Sequence, residues 1–419
     1  MLVFNLAYKS IMNRKLTSLL TIISISLSVI LILSVEKIRK STRTSFINTI
    51  SGTDLVIGPR ASGIQLLLYS VFHMGDATAN ITIKTVEDIK KRSEIDWVVP
   101  ISLGDSHKGF RVIGTTNNYF ERIRYRRNMT LKFDKGNSFS NLFEAVIGND
   151  VANSLGYNVG DKIILAHGTG DVIFGKDHSD TPFIISGILE KTGTPSDRAV
   201  IVSLEAIEAI HIGWNSGTYD KKIKTVKDYK AINLKPTNVT ALFVGLKSRM
   251  TTFSFQRWIN RYSQEPITAI LPGVVFGELW SLIINIEKAL FIVTSMVVFT
   301  ALLGMIVSIL SSLNERRREM AILRSLGAKP IHIFTLFITE SSCIAFLGVF
   351  SGATTMYALL FTFKSIIEKF TGLYIEITSP GNNEFIIMLI IILASIISGV
   401  IPALRAYSLS LSDGLIVKS

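Results

Sequence analysis

Four long runs of apolar residues dominate the pattern along the chain. The first, Leu16–Val35, has twenty residues without a charged side chain, and the second, Ala289–Leu313, has twenty-five. The third lies within Ile331–Phe363, where Glu340 is the only carboxylate, and the fourth is Phe385–Pro402. Because about 20 helical residues cross the roughly 30 Å of bilayer hydrocarbon, the pattern predicts four membrane-spanning helices with both termini on one side.

The first run has a competing interpretation as a secretory signal peptide, because Lys9, Arg14 and Lys15 precede it. The run is longer than a typical signal core, and no small-x-small cleavage site precedes the charged segment that starts at Glu36. We therefore expect an uncleaved transmembrane helix.

Residues 36–285, between the first two runs, have an ordinary soluble pattern of short apolar segments separated by glycine and polar turns, which predicts a mixed α/β domain. The predicted strands are Asp54–Ile57, Trp97–Ile101, Phe110–Ile113, Ala145–Ile147, Lys162–Leu165, Phe183–Leu189, Ala199–Val202 and Ala241–Gly245. The predicted helices are Thr85–Arg92, Asp150–Leu155, Leu204–Ile210 and Phe253–Tyr262.

Apolar residues at helical spacing continue past the membrane end of both adjoining spans. This pattern predicts helical stalks, which would either transmit motion to the domain or simply support it. The positions are Val35, Ile38, Thr42, Phe46 and Ile50 after span one, and Phe276, Leu279, Trp280, Ile283 and Ile286 before span two.

Composition supports a membrane protein that carries a globular domain. The chain is 48% hydrophobic and only 18% charged, with a mean hydropathy of +0.41. Its single cysteine, Cys343, excludes an intrachain disulfide. The net charge of +12 comes partly from basic residues beside the apolar runs, which favours membrane lipid over nucleic acid as the partner.

Basic residues in short loops set the expected orientation, since cytoplasmic loops are enriched in Lys and Arg. One face is expected to be cytoplasmic because it holds Lys9, Arg14, Lys15, Arg316, Arg317, Arg318, Arg324, Lys329, Arg405 and Lys418. The α/β domain is then extracytoplasmic and both termini are cytoplasmic. Four basic residues on the opposite side run against the rule: Lys37, Arg39, Lys40 and Arg43.

Gly63–Ile81 is an apolar stretch without Lys, Arg or Glu between its ends, and it has two interpretations. It is either a buried core segment or a surface element that contacts an apolar substrate or partner. The contact candidates are Leu66, Leu67, Leu68, Tyr69, Phe72 and Met74.

Two other patterns do not justify a site. Gly170–Lys176 matches the start of a phosphate-binding loop, but Asp177 replaces the Ser or Thr that would bind magnesium, and no helix pattern follows. The same loop contains metal-ligand residue types, which exposure and loop flexibility explain without a metal: His167, Asp171, Asp177, His178 and Asp180. We expect no metal site, no catalytic residue and no ATPase in this chain.

The segment Asn314–Pro330, NERRREMAILRSLGAKP, carries the functional signal. Met320, Leu323 and other apolar residues form one helix face and arginines the other, and Gly327 and Pro330 end the helix. The pattern predicts a short amphipathic helix lying flat at the cytoplasmic surface, where it would bind lipid headgroups or a groove on a cytosolic protein.

The ERRREMAILRSLGA sequence resembles the cytoplasmic signature of MacB/FtsX-type (type VII) ABC transporter permeases, which include lipoprotein-releasing and macrolide-export permeases. The N-terminal segment, AVIGNDVANSLGYNVGDKIIL and IPALRAYSLSLSDGL also resemble this family. By that resemblance, 1–35 is the N-terminal helix and first span, 36–285 a MacB-like periplasmic core domain, and 286–419 an FtsX-like permease domain with a coupling helix at 314–330. The resemblance implies ATPase-coupling roles for Glu315, Arg316, Arg317, Glu319, Ala321, Arg324, Leu326 and Gly327. Glu340 matches an acidic family position and should face the helix bundle or cytoplasmic boundary.

The resemblance further implies a multi-pass protein of the bacterial cytoplasmic membrane that works with a cytosolic ABC ATPase dimer, which would hold ATP and Mg²⁺, and with a second copy or related permease. A periplasmic adaptor or substrate-binding protein is a further candidate partner. The expected function is ATP-driven export or extraction of a lipoprotein, lipid, peptide or small molecule. The alternative is a mechanotransmission or regulatory subunit that controls an envelope hydrolase or sensor and moves no substrate.

Overall fold

The computed structural model describes residues 2–126, 128–167, 181–211, 234–325, 327–371 and 377–408. The chain divides into two compact units. One contains the apolar helices, and the other, the sheet domain, consists mainly of Thr42–Ile283.

All four apolar runs form helices that are long and apolar enough to cross a membrane. Helices α2 and α9 have 34 and 54 residues, so at 1.5 Å per residue they are about 50 and 80 Å long. Both extend past the predicted spans, which confirms the helical extensions, although α2 ends two residues before Ile50. The described α-helices are α1 (Leu2–Asn13), α2 (Lys15–Asn48), α3 (Gly63–Val71), α4 (Ile83–Lys90), α5 (Asn118–Arg122), α6 (Asn149–Leu155), α7 (Leu204–His211), α8 (Thr252–Asn260), α9 (Pro272–Ser325), α10 (Pro330–Thr371) and α11 (Asn382–Ser408).

The sheet domain is built on one large mixed sheet. Its described strands are β1 (Leu55–Pro59), β2 (Ile81–Thr82), β3 (Ile95–His107), β4 (Phe110–Thr115), β5 (Arg124–Tyr125), β6 (Met129–Thr130), β7 (Phe133–Gly136), β8 (Glu144–Ile147), β9 (Lys162–Ile163), β10 (Ala166–His167), β11 (Phe183–Leu189), β12 (Ala199–Ser203), β13 (Asn238–Val239), β14 (Ala241–Leu246) and β15 (Ile267–Ile270). The order of the large sheet is β15-β1-β14-β3-β4-β12-β8-β11-β7, with β10 on β3 and β9 on β11, while β13-β2 and β5-β6 form two separate two-stranded sheets.

Alternation along the strands divides apolar side chains between the two faces of the sheet. Val56 of β1 packs in one core, while its neighbours Leu55 and Ile57 pack in another. The core that contains Val56 also contains Val275 and Phe276 from the first turn of α9. The beginning of α9 is therefore part of the hydrophobic core of the sheet domain.

Every predicted strand and helix of the sheet domain coincides at least in part with an observed element. The boundaries differ by a few residues; for example, the strand predicted at Lys162–Leu165 ends at Ile163. Strands β7 and β15 and five of the two-residue strands, β2, β5, β6, β10 and β13, were not predicted, since segments that short carry little periodicity.

Candidate functional site

The segment with the coupling signature does not form a separate helix. Residues 314–325 are the last three turns of α9, which continues without interruption from Pro272 to Ser325. The prediction of a short flat helix between spans is corrected in this respect. The physical reason is that the sequence between Leu313 and Arg324 contains no Gly or Pro and is rich in strong helix formers such as Glu, Arg, Met and Ala.

The end of this helix is where the sequence predicts it. Gly327 adopts a φ of 95°, which is accessible to glycine without strain. Its N–H donates to the carbonyl of Arg324 at 3.0 Å, and the N–H of Ala328 donates to the carbonyl of Leu323 at 3.0 Å. These two bonds form a Schellman motif. Pro330 then begins α10.

Among the coupling residues, Glu319 and Gly327 are exposed and Arg324 is partly buried. The side chains of Glu315, Arg316, Arg317 and Ala321, and all of Leu326, lie outside the described residues.

Glu340 is buried in the helical unit, with 5% of its surface exposed. The hydroxyl of Ser10 in α1 lies 3.4 Å from both of its carboxylate oxygens and donates to them. This placement agrees with the expectation that Glu340 faces the helix bundle. Through this contact, Glu340 connects α1 to α10.

The apolar segment after Gly63 forms α3 and packs inward. Leu66, Leu67 and Tyr69 are at most 1% exposed and belong to the core that contains Val56. The ring of Phe72 packs edge-to-face on Phe276 with centroids 5.6 Å apart. These four residues therefore belong to the core or pack against it. Their interpretation as a surface that contacts a substrate or partner is corrected.

Three of the proposed contact residues are not fully buried. Leu68 and Phe72 are partly buried, and Met74 is 61% exposed. Between Phe72 and Met74, His73 is partly buried and has a φ of 57°. Its burial, with a smaller contribution from the nearby charge of Arg111, lowers the pKa of His73 to about 4.

A set of polar contacts that the sequence pattern does not predict surrounds Lys37, which is 2% exposed. Its ammonium donates to the hydroxyl of Thr378 at 3.1 Å and to the Thr378 carbonyl at 3.4 Å. It also lies 3.8 Å from Oε1 of Glu384, a carboxylate that is itself 2% exposed. The hydroxyl of Tyr357 donates to the other oxygen of Glu384. These contacts around Lys37 join α2, α10 and α11.

A second group of contacts surrounds Glu36, one residue earlier. Arg39 donates to both of its carboxylate oxygens, at 2.9 and 2.7 Å, and Asn383 donates to Oε1 at 3.4 Å. Arg39 also lies 3.9 Å from a carboxylate oxygen of Glu287 in α9. We call the whole set the charged clasp: Glu36, Lys37, Arg39, Glu287, Tyr357, Thr378, Asn383 and Glu384.

The charged clasp accounts for two of the four basic residues that run against the orientation rule. Lys37 and Arg39 are paired with carboxylates from their own and neighbouring helices. Arg43 lies over the ring of Trp280, with its guanidinium 5.9 Å from the ring centroid. Three of these four basic residues therefore have a described interaction partner.

A second feature that was missed is a seam of small residues between α2 and α10. Gly348 and Gly352 form a G-x-x-x-G pair. A Cβ atom on Gly348 would lie 2.8 Å from Cβ of Ile25, and one on Gly352 would lie 2.7 Å from the carbonyl oxygen of Ser26. The two helices approach this closely because neither glycine has a side chain, as at many helix interfaces in membranes.

The loop from which we expected no site is only partly described. Residues 168–180 lie outside the described residues. They include the incomplete phosphate-binding loop and four of the five candidate metal-ligand residues. His167 ends β10, where its backbone is in register with Asp105 of β3.

Two family models match the chain over most of its length. The MacB-like periplasmic core domain matches residues 16–259, and the FtsX-like permease C-terminal domain matches residues 291–411. The first covers the opening span and most of the sheet domain, and the second covers the remaining spans and the coupling signature. The chain belongs to the MacB/FtsX-type ABC transporter permease family.

Two curated proteins are similar to the permease in sequence. It is 24% identical over 414 residues to an uncharacterised ABC transporter permease of Methanocaldococcus jannaschii, a match that covers 96% of this chain and 94% of the relative. It is 21% identical over 271 residues to the lipoprotein-releasing system transmembrane protein LolC of Haemophilus influenzae, covering 63% of this chain and 62% of LolC.

Solved structures similar to the permease include two extracytoplasmic regions. The periplasmic region of MacB from Actinobacillus actinomycetemcomitans is 12% identical, with a TM-score of 0.35, and the match covers 56% of this chain and 95% of that one. The extracellular domain of the noncanonic ABC-type transporter YknZ from Gram-positive bacteria is 12% identical, with a TM-score of 0.30, and the match covers 52% and 98%.

Proposed function

We propose that this permease couples ATP hydrolysis in a separate cytosolic ABC ATPase to movement of its sheet domain. One observation carries the proposal: α9 is a single helix from Pro272 to Ser325. Its first turn packs in the core of the sheet domain, and its last three turns carry the coupling signature.

A continuous helix is well suited to transmit a displacement over this distance. Val275 and Phe276 are 6% and 5% exposed, so the start of α9 cannot move without moving the core around it. At the other end, Glu319 and Gly327 are exposed and available to a partner. Because an uninterrupted helix resists a change in its length, we expect a displacement of its last turns to be transmitted along α9 to its first turn.

The proposed topology places both termini and the end of α9 in the cytoplasm, and the sheet domain outside the cytoplasmic membrane. A dimer of the ATPase would bind ATP and Mg²⁺, and this chain would bind neither. A second copy or a related permease would complete the complex. The Lys and Arg residues near the termini and between spans two and three support this orientation, since cytoplasmic loops are enriched in them.

The proposed work is export or extraction of a lipoprotein, lipid, peptide or small molecule. The burial of Leu66, Leu67 and Tyr69 removes the reason to favour an apolar substrate among these. Purification of the complex from its native membrane distinguishes transport from regulation. A retained adaptor or substrate would favour transport, whereas a retained hydrolase or sensor would favour the regulatory alternative.

The coupling role is tested by replacing Arg316, Arg317 and Glu319 together with Ala. If these residues contact the ATPase, the triple variant should lose co-purification of the ATPase or the stimulation of its ATP turnover. Both are measured on the complex in detergent, with the amount of folded permease as reference.

A matched control exists at the end of α4, where Glu87 and Lys90 of the helix and Lys91 directly after it provide one exposed acid and two exposed bases. Their replacement with Ala removes the same charges from the sheet domain and should leave the ATPase bound and active. Normal co-purification and turnover in the Arg316, Arg317, Glu319 variant would overturn the coupling assignment.

A further inference from the structure

An open groove lies in the helical unit between α1, the beginning of α2, and helices α10 and α11. Its volume is about 900 Å³. Its lining includes Leu19, Ile22 and Phe346, and Lys15 is the first residue of α2 that lines it. The feature is independent of the coupling residues.

The walls offer an occupant almost only apolar surface. Leu19 is 53% exposed and Phe346 is 59% exposed. Four residues of the lining carry a hydroxyl group: Tyr8, Ser18, Thr339 and Ser342. Two of these hydroxyls are already used within their own helix, since Thr339 donates to the Thr335 carbonyl at 2.7 Å and Ser342 to the Ile338 carbonyl at 2.6 Å. An apolar chain fits these walls better than a polar molecule does.

The part of α2 that lines the groove is short enough to lie within one leaflet of a bilayer. From Lys15 to Ile22 the helix rises about 10 Å at 1.5 Å per residue, compared with about 15 Å for half of the hydrocarbon thickness. Lys15 is the first residue of the first candidate span. Its ammonium therefore lies at headgroup level, and the apolar walls lie at acyl-chain level.

The charge at the headgroup end is positive. Lys15 is exposed, and residues 1–15 contain Lys9, Arg14 and Lys15 but no acid. No acidic residue belongs to the described lining. Glu340, the nearest acid along α10, is buried against Ser10. A basic headgroup level above apolar walls matches an anionic phospholipid.

We propose that the groove binds one anionic phospholipid of the leaflet next to the N-terminus, with its headgroup phosphate at Lys15 and an acyl chain along Leu19, Ile22 and Phe346. A lipid in this position packs between α1 and α10, the same two helices that Ser10 and Glu340 connect. The site rests on the four-span fold and not on ATP coupling.

Lipid retention tests the proposal directly. The full-length permease is placed in equal mixtures of phosphatidylglycerol and phosphatidylcholine, and the lipids retained per chain are counted by native mass spectrometry. We expect one retained phosphatidylglycerol, preferred about fivefold over phosphatidylcholine, a ratio that corresponds to the roughly 1 kcal/mol of one basic residue near anionic lipid. Lys15→Gln should remove the preference. Lys329→Gln is the matched control, because Lys329 is exposed at the start of α10 and does not line the groove.

The rate at which the single cysteine is modified shows whether the lipid occupies the groove. Cys343 lines the groove, so its modification by methyl methanethiosulfonate should be slower in vesicles that contain phosphatidylglycerol than in phosphatidylcholine alone. Leu19→Trp fills the groove without changing its charge and should abolish lipid retention, which keeps the test valid if Lys15→Gln folds poorly.

Three outcomes would overturn the proposal. The first is equal retention of both lipids by the unaltered permease, and the second is a preference that survives Lys15→Gln. The third is protection of Cys343 that depends on permease concentration and not on lipid, which would identify a second copy as the occupant. None of these readouts involves ATP. The lipid-binding proposal can therefore be overturned while the coupling proposal stands, and the coupling proposal can be overturned while lipid binding stands.

Discussion

Lys37 is a charged residue within a candidate membrane span, where an unpaired charge is costly. Its only described carboxylate partner is Glu384, and the hydroxyl of Tyr357 occupies the other oxygen of that carboxylate. Breaking a buried pair by removing one partner is more destabilising than replacing both, because the remaining charge stays buried.

We therefore expect Lys37→Met to lower the free energy of unfolding by about 3–5 kcal/mol. Adding Glu384→Gln should restore part of that loss, since no unpaired charge then remains. Denaturant unfolding in detergent measures both variants. Lys40→Met, the same change at an exposed lysine one turn further along α2, is the control and should have little effect. A double variant as unstable as the sum of the two single variants would argue against a coupled pair.

At the scale of elements, the approach of α2 to α10 depends on two glycines. A Cβ on either one would meet backbone or Cβ atoms of α2, which cannot move aside as the end of a long side chain can. Small residues of this kind hold membrane helices together by close packing, since lipid supplies no hydrophobic drive between helices.

Gly348→Leu and Gly352→Leu should each destabilise the helical unit by about 1–3 kcal/mol through overpacking. Thermal unfolding in detergent is the measurement. Gly304→Leu in α9 is the matched control, because nothing lies within 4 Å of a Cβ atom at that position. The control should be neutral or slightly stabilising, since leucine favours helix over glycine. Equal effects at Gly304 and Gly348 would show that the seam is not required.

Sequence patterns predict the elements better than the contacts between them. The four spans are set by length and apolarity alone, and period-two alternation identifies the long strands of the sheet domain. The amphipathic pattern of residues 314–325 predicts a separate surface helix, whereas the absence of a helix breaker lets α9 continue through residue 325. The charged clasp and the glycine seam join residues hundreds of positions apart, so a single sequence contains no signal that pairs them.

At the scale of the whole molecule, the sheet domain is an insertion whose two ends lie side by side. Its first strand, β1, pairs antiparallel with its last, β15, so that Val56 stands opposite Ile270. The core next to this pair includes Ile50 before β1 and Phe276 after β15. The domain therefore depends for its stability on residues from both adjoining helical connections.

We expect a fragment of residues 50–283 to fold alone, and a fragment of residues 50–271 to be less stable because it lacks Val275 and Phe276. Loss of a buried Phe costs about 3–5 kcal/mol. Phe276→Ala in the longer fragment should reproduce most of this loss, whereas Val274→Ala, at a residue 56% exposed, should not. Denaturant unfolding of the soluble fragments is the measurement. Equal stability of the two fragments would show that α9 is not part of the domain core.

The charged clasp also bears on how the chain is made. Ribosomes synthesise α2 early, whereas Glu384, the partner of Lys37, lies on the last described helix and is made near the end of synthesis. Until α11 enters the membrane, the first span carries a lysine with no acid from α11 beside it. Completion of the bundle is therefore the step that neutralises Lys37, and chains that stop before α11 would expose a charged defect that membrane quality control can recognise.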